Sequence, residues 1–128
     1  MNERVTIPIH TAFDAITARA KVREFARETG LDVTGQARIS LAAYSLANTT
    51  KLRSANQCQL SVQVLKKGKR AGVEVICIVP NIADDHLTSD TFGNVKWLVD
   101  EFTVETLPSN EVHVILIQWS LPPEGRFQ

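Results

Sequence analysis

From Gln57 to Leu65 every second side chain is apolar: Cys58, Leu60, Val62 and Val64 alternate with Gln57, Gln59, Ser61 and Gln63. A period of two puts the two sets on opposite faces of a strand, one toward a core and one toward water. Lys66, Lys67, Gly68, Lys69, Arg70, Ala71 and Gly72 then read as a turn, and Val73 to Val79 as a more apolar second strand. The pair predicts a β-hairpin in a half-exposed antiparallel sheet, which confines the fold to layers that cover one sheet face.

The rest of the chain supplies that cover. Arg4 to Ile9 alternates briefly and reads as a first strand, with Pro8 marking an edge. Thr11 and Asp14 form a variant of the capping box ahead of a helix from Ala12 to Thr29. Its apolar face is Ala15, Ala18, Val22, Phe25 and Ala26, and Gly30 supplies the terminator. A second helix is expected from about Thr34 to Ser54, with Ile39, Ala42, Ala43, Leu46 and Ala47 inward. Pro80 to Asp90 has no period and reads as a loop. Phe92 to Phe102 suits a third helix with Phe92, Val95, Leu98, Val99 and Phe102 inward. Thr103 to Leu107 and Glu111 to Trp119 predict a closing hairpin, and the tail from Leu121 is expected to be poorly ordered. The order favours an α/β two-layer sandwich: a mostly antiparallel, mixed sheet with helices packed on one face.

At 128 residues the chain is expected to be one domain. Fourteen basic and fourteen acidic residues cancel, which leaves no long-range pull toward nucleic acid or anionic lipid. No apolar run approaches the roughly 20 residues of a membrane span, and the first ten residues lack the layout of a secretory signal. A cytoplasmic protein is the expectation. Cys58 and Cys77 read as buried packing rather than a disulfide or metal pair.

The charge is unevenly placed. Between Val33 and Val73 there is no Asp or Glu, while seven Lys and Arg fall in the same stretch. A general base or an Mg²⁺ ligand needs an oxygen anion, so the second helix holds no residue for either role.

Three segments carry a resemblance: the helix Ile16 to Gly30, the run Gln36 to Ala47 (QARISLAAYSLA), and Val95 to Phe102 (VKWLVDEF). With the element order they resemble the GHKL (histidine-kinase-like ATPase) superfamily, nearest its small anti-sigma-factor serine kinases and RsbT-like switch kinases. The resemblance implies a Bergerat-like fold and an ATP·Mg²⁺ site built from three motifs. On the second helix the family has a Glu followed four residues later by an Asn. The matching positions here are Ser45 and Thr49, and a register one residue earlier gives Tyr44 and Asn48. Asn48 has an amide oxygen for a metal, but the acid is missing in either register.

The family's Asp-x-Gly-x-Gly, whose Asp reads adenine, matches Val79-Pro80-Asn81-Ile82-Ala83. Val79 has no acceptor and Pro80 lacks an N–H donor. The glycine-rich lid matches Ser89 to Asn94, where only Gly93 is a glycine and Asp90 would repel phosphate. The resemblance with emptied motifs implies no catalytic residues, no metal and no cofactor. Ser45, Asn48, Thr49, Val79, Asn81 and Gly93 then remain as degenerate positions of a nucleotide site.

The expected role is a pseudokinase-like regulatory module acting by protein contact. By resemblance its partner is a sigma factor, a PP2C-type phosphatase or an antagonist with a STAS domain, and a homodimer is among the states the resemblance implies. The alternative is an active ATP-dependent serine/threonine kinase with rewired ligands; another is a domain of a longer phosphatase. Arg23 and Arg27 on the first helix are expected partner contacts, weighed against a plain solvated face. Trp97 reads either as the edge of the core or as an interface anchor. Lys66, Lys67, Lys69 and Arg70 read as a solvated turn before a phosphate contact, and Asp84, Asp85, His86 and Asp90 as an acidic loop before a metal site. His113, in line with Ile115, Ile117 and Trp119, is expected to be partly buried and satisfied, and His10 to be exposed.

Overall fold

A computed structural model of the chain describes residues 4–53, 58–80, 93–109 and 111–120. The elements are β1 (Arg4–Ile9), α1 (Ala12–Thr29), α2 (Val33–Arg53), β2 (Cys58–Lys67), β3 (Arg70–Val79), a 3₁₀ turn (Lys96–Leu98), β4 (Glu101–Thr106) and β5 (Val112–Trp119). The strands form one five-stranded sheet in the order β1-β2-β3-β5-β4. Every pairing is antiparallel, so the described sheet is not mixed. β1 is an edge strand, as Pro8 requires, since proline cannot donate to an interior ladder.

Both helices cover one sheet face. Ala15, Ala18, Val22, Phe25 and Ala26 of α1 join Ile39, Ala42, Ala43, Leu46 and Ala47 of α2 in a single core. The sheet contributes Ile9, Cys58, Leu60, Val62, Val73, Val75, Cys77, Val79, Val112, Val114 and Leu116. The small residues let the two helices lie close together, and cross-strand partners such as Leu60 with Cys77 and Val75 with Leu116 share that face. Both cysteines are buried and free, as their strand positions predict.

Local chemistry sets the helix ends. Thr11 Oγ1 accepts from the Asp14 N–H, and Asp14 Oδ2 accepts from the N–H groups of Thr11 and His10 at 3.0 and 2.9 Å. Gly30 adopts φ 98°, a left-handed conformation that glycine takes without steric cost, and closes α1. The cap of α2 is Asp32, whose carboxylate accepts from the Gly35 N–H at 2.8 Å; the helix starts at Val33 rather than Thr34 for that reason.

The Asp14 bonds have a consequence for pH. Donation from the His10 backbone, then from Thr11, holds the carboxyl below its ordinary value of 3.8. A depressed folded-state pKa gives stabilisation that is present above the unfolded value and lost as pH falls through the folded one. Thermal melts of Asp14→Asn between neutral pH and about pH 2 should therefore show a smaller acid-induced drop than the parent chain. An equal drop would remove Asp14 from the acid response.

The hairpin turn is tighter than expected. β2 and β3 run on through Lys67 and Arg70, so only Gly68, at φ 62°, and Lys69 are left at the tip. Lys66, Lys67, Lys69 and Arg70 are all exposed, and Arg70 lies over the Trp119 ring at 4.7 Å. Gly72 lies under that indole, where a Cβ would come within 2.7 Å of Cε3.

The third helix is the clear correction. Among the described residues of that segment only Lys96–Leu98 coil, as a single 3₁₀ turn, and the chain is extended from Glu101. Phe102 and Val104 pair with Leu116 and Val114, so alternation takes the segment that a helical period also fits. Hydrogen bonds across the sheet decide it. Asp100 N–H donates to Gln118 Oε1 at 3.1 Å, Trp119 N–H to Asp100 Oδ2 at 2.9 Å, and Trp119 Nε1–H to Glu101 Oε2 at 2.6 Å. The inward assignment survives without the helix where it is described: Val95 is buried, and Leu98, Val99 and Phe102 pack against the core, while Phe92 lies outside the described residues.

Candidate functional site

The described degenerate positions lie on elements that meet at one end of the sheet. β2 starts where β3 ends (Gln59 opposite Ile78), and Val79 pairs with Val112 at the start of β5. The α2 C-terminus leads into β2, and α2 packs on β2, β3, β5 and the 3₁₀ turn. The second half of α2, the end of β3 and the segment from Gly93 to Leu98 therefore frame one region.

Within it, Ser45 and Asn48 are half-buried on α2, and Thr49 lies on the same helix with its side chain outside the described part. Val79 is fully buried, its isopropyl group part of the core. Pro80 follows it, half-buried, and Gly93 begins the turn that brings Val95 onto the core. Asn81 lies outside the described residues, as do Asp84, Asp85, His86 and Asp90.

The surroundings are apolar and cationic. Arg19 of α1 sits over the Tyr44 ring of α2 at 5.5 Å, a cation–π contact that ties the two helices together. Among the described residues no three of His, Cys, Asp and Glu converge on a common point. Every buried side-chain nitrogen and oxygen described has a hydrogen-bond partner. The buried Ser40 hydroxyl, for example, donates to the Ala37 carbonyl. Among the described residues the carboxyls with depressed pKa lie elsewhere: Asp14 at its cap, and Glu24, held down first by its hydrogen bond to Lys21 and then by that cation's charge.

Of the expected partner residues, Arg23 and Arg27 are exposed on α1. Trp97 is 74% exposed, with the Lys96 ammonium 5.4 Å from its ring, which removes the core-edge reading. His113 is half-buried and bonded to Glu111 at 2.8 Å, and His10 is exposed. Sequence reasoning missed four exposed apolar side chains on the outer helix surfaces: Phe13 and Ile16 on α1, Val33 and Leu41 on α2. Their signal was present, since all four fall off the inward stripes at helical spacing. Among the described residues no helix is long and apolar enough to cross a membrane.

Comparison with known proteins agrees with this architecture. No family model matches the sequence. The chain is 31% identical over 133 aligned positions to the serine/threonine-protein kinase RsbT of Bacillus subtilis (strain 168), covering 93% of this chain and 98% of that protein. The fold is similar to a crystal structure of the RsbU and RsbW domains of a Mycobacterium tuberculosis protein, with a TM-score of 0.67 and 19% identity. That match covers 94% of this chain and 33% of the other, and carries the fold alone. By its sequence over nearly full length, and with a fold to match, the chain belongs to the RsbT-like branch of the histidine-kinase-like (GHKL) superfamily.

Proposed function

We propose that this protein is a partner-switching regulator that works by protein contact and neither binds nor hydrolyses ATP. The observation that carries the reading is Val79. At the position where the family reads adenine with a carboxylate, this chain has a valine buried in its own core. The acid-free α2 supports it, because an amide or hydroxyl does not replace an anion as general base. Asn48 alone offers one neutral oxygen, short of the carboxylates that usually hold Mg²⁺ beside phosphates.

The partner is a protein of the kind this branch engages: a sigma factor, a PP2C-type phosphatase or a STAS-domain antagonist. Exposed Trp97, Arg23 and Arg27 are the contacts assigned to it, and self-association into a homodimer belongs to the same reading. Aromatic and arginine side chains dominate binding energy at such interfaces, which favours these three over the lysines of the hairpin tip. We read it as a cytoplasmic protein.

Calorimetric titration with ATP and with ADP, each with Mg²⁺, tests the nucleotide half of the reading. No heat of binding is expected up to millimolar nucleotide. A dissociation constant in the micromolar range would contradict it, and phosphate transfer to a STAS-domain substrate would replace it with a working kinase.

A further inference from the structure

The second face of the sheet departs from the rule that governs a one-sided sheet. On β1, β2 and β4 the positions facing away from the helices are Arg4, Thr6 and Pro8; Gln59, Ser61 and Gln63; Glu101, Thr103 and Glu105. On the two strands between β2 and β4 they include Ile76 and Ile78 of β3 and Ile115 and Ile117 of β5. All four isoleucines are half-buried, and none belongs to the core or to the apolar residues packed against it. Ile76 stands opposite Ile115, with Ile78 and Ile117 one pair away on either side, so the four form one patch. Strands apolar on both faces are the pattern of a sheet covered on both sides, and here the described helices cover one.

The flanks of the patch are acidic. Glu74 borders Ile117 on one side and Glu101 on the other, and Glu105 and Glu111 lie beside His113. Arg4, on the far edge strand, is the one cation in those rows; Lys67 and Arg70 stand on the same face two rows beyond Glu74, at the hairpin tip.

We propose that this face is a docking surface for an amphipathic helix of a partner protein. Its apolar side would lie on Ile76, Ile78, Ile115 and Ile117, and its lysines or arginines would reach Glu101 and Glu105. β3 and β5 are interior strands whose backbone groups are already paired, so an added strand has nothing to bond there. A second copy of this chain is the less favoured occupant. A two-fold axis across the strands sets the acidic β4 of each copy on that of the other, and one along β3 sets Glu74 against Glu74, while an axis between β3 and β5 avoids both and is the arrangement the test must exclude. An anionic lipid surface is repelled by the same carboxylates. The inference goes beyond the proposed function, because it holds whether or not the cleft takes a nucleotide.

The test is a titration of the ¹⁵N-labelled full chain with an amphipathic Leu/Lys helical peptide. Its Leu/Glu counterpart and a scrambled Leu/Lys peptide of equal composition serve as controls. The expected result is saturable shifts centred on the amides of Ile76, Ile78, Ile115 and Ile117 with the Leu/Lys helix alone. The pair Ile76→Thr and Ile115→Thr, and separately Glu105→Lys, should each weaken that binding about tenfold. Glu105 is exposed on an edge strand, so its variant keeps the test alive if the isoleucine pair fails to fold. No shift with any peptide, equal binding of either control, or shifts confined to Phe13 and Ile16 would overturn the proposal. So would self-association abolished by Glu105→Lys, which would give the face to a second copy. ATP added to the same labelled sample separates the two readings: shifts at Ser45 and Asn48 would end the nucleotide-free reading and leave this one standing.

Discussion

Val79→Asp should lower the stability of this protein by about 3–5 kcal/mol, and ATP with Mg²⁺ should not restore it. The substitution returns the carboxylate that reads adenine in the resembled motif. Here the position is fully buried, opposite Val112 and within the core shared by α1, α2 and the sheet. An unpaired charge in that setting loses its hydration, and every buried side-chain donor described is already bonded elsewhere. Against a total of about 5–15 kcal/mol for a typical domain, the loss is a large fraction. Urea melts with and without nucleotide measure both parts. A ligand that fills a site at about 100 times its dissociation constant contributes about 2.7 kcal/mol to the folded state. A midpoint unmoved by nucleotide is the expected result. Recovery of that size would mean that a purine still finds its pocket once the carboxylate returns, and that the valine alone had closed it.

The same residue shows how far the chain could be read in advance. That Val79 ends a strand after a hairpin follows from alternation, and both ends of α1 follow from Thr11, Asp14 and Gly30. These signals are local: a period, a cap and a terminator each lie within a few residues of what they determine. The segment from Phe92 to Phe102 failed because Val95, Leu98, Val99 and Phe102 suit a helix while Phe102 and Val104 also suit a strand. The tie is broken by Asp100 and Glu101 meeting Gln118 and Trp119, about 18 residues away. No window along the chain contains both partners. The emptied positions of the candidate site were legible only because a resemblance said where to look; nothing in the spacing of Ser45, Asn48 and Val79 marks them as a set. The outward isoleucines of β5 were visible as a period of two beside His113. Their meaning was not, because it depends on which face the helices take.

That choice of face is open to a direct measurement on two adjacent residues. Leu116→Ala should cost about 2–5 kcal/mol, whereas Ile115→Ala should cost about 1 kcal/mol. Leu116 is fully buried between Val75 and Phe102 on the helix-covered side, where removing three carbons leaves a cavity that a close-packed core fills only in part. Ile115 is half-buried between Ile76 and Thr103 on the open side, where water occupies the vacated space and the loss is mainly strand propensity and cross-strand contact. The two residues share a strand and nearly a volume, so the difference isolates the face they point to. Denaturant midpoints of both variants, compared at equal slope, give the answer. Equal costs would mean that Ile115 is as enclosed as Leu116 in the isolated chain, and the open face would then have no vacancy for a partner helix. A gap of a few kcal/mol that shrinks when the basic amphipathic peptide is added would place that helix over the isoleucines, because its binding would enclose Ile115 and raise the cost of truncating it.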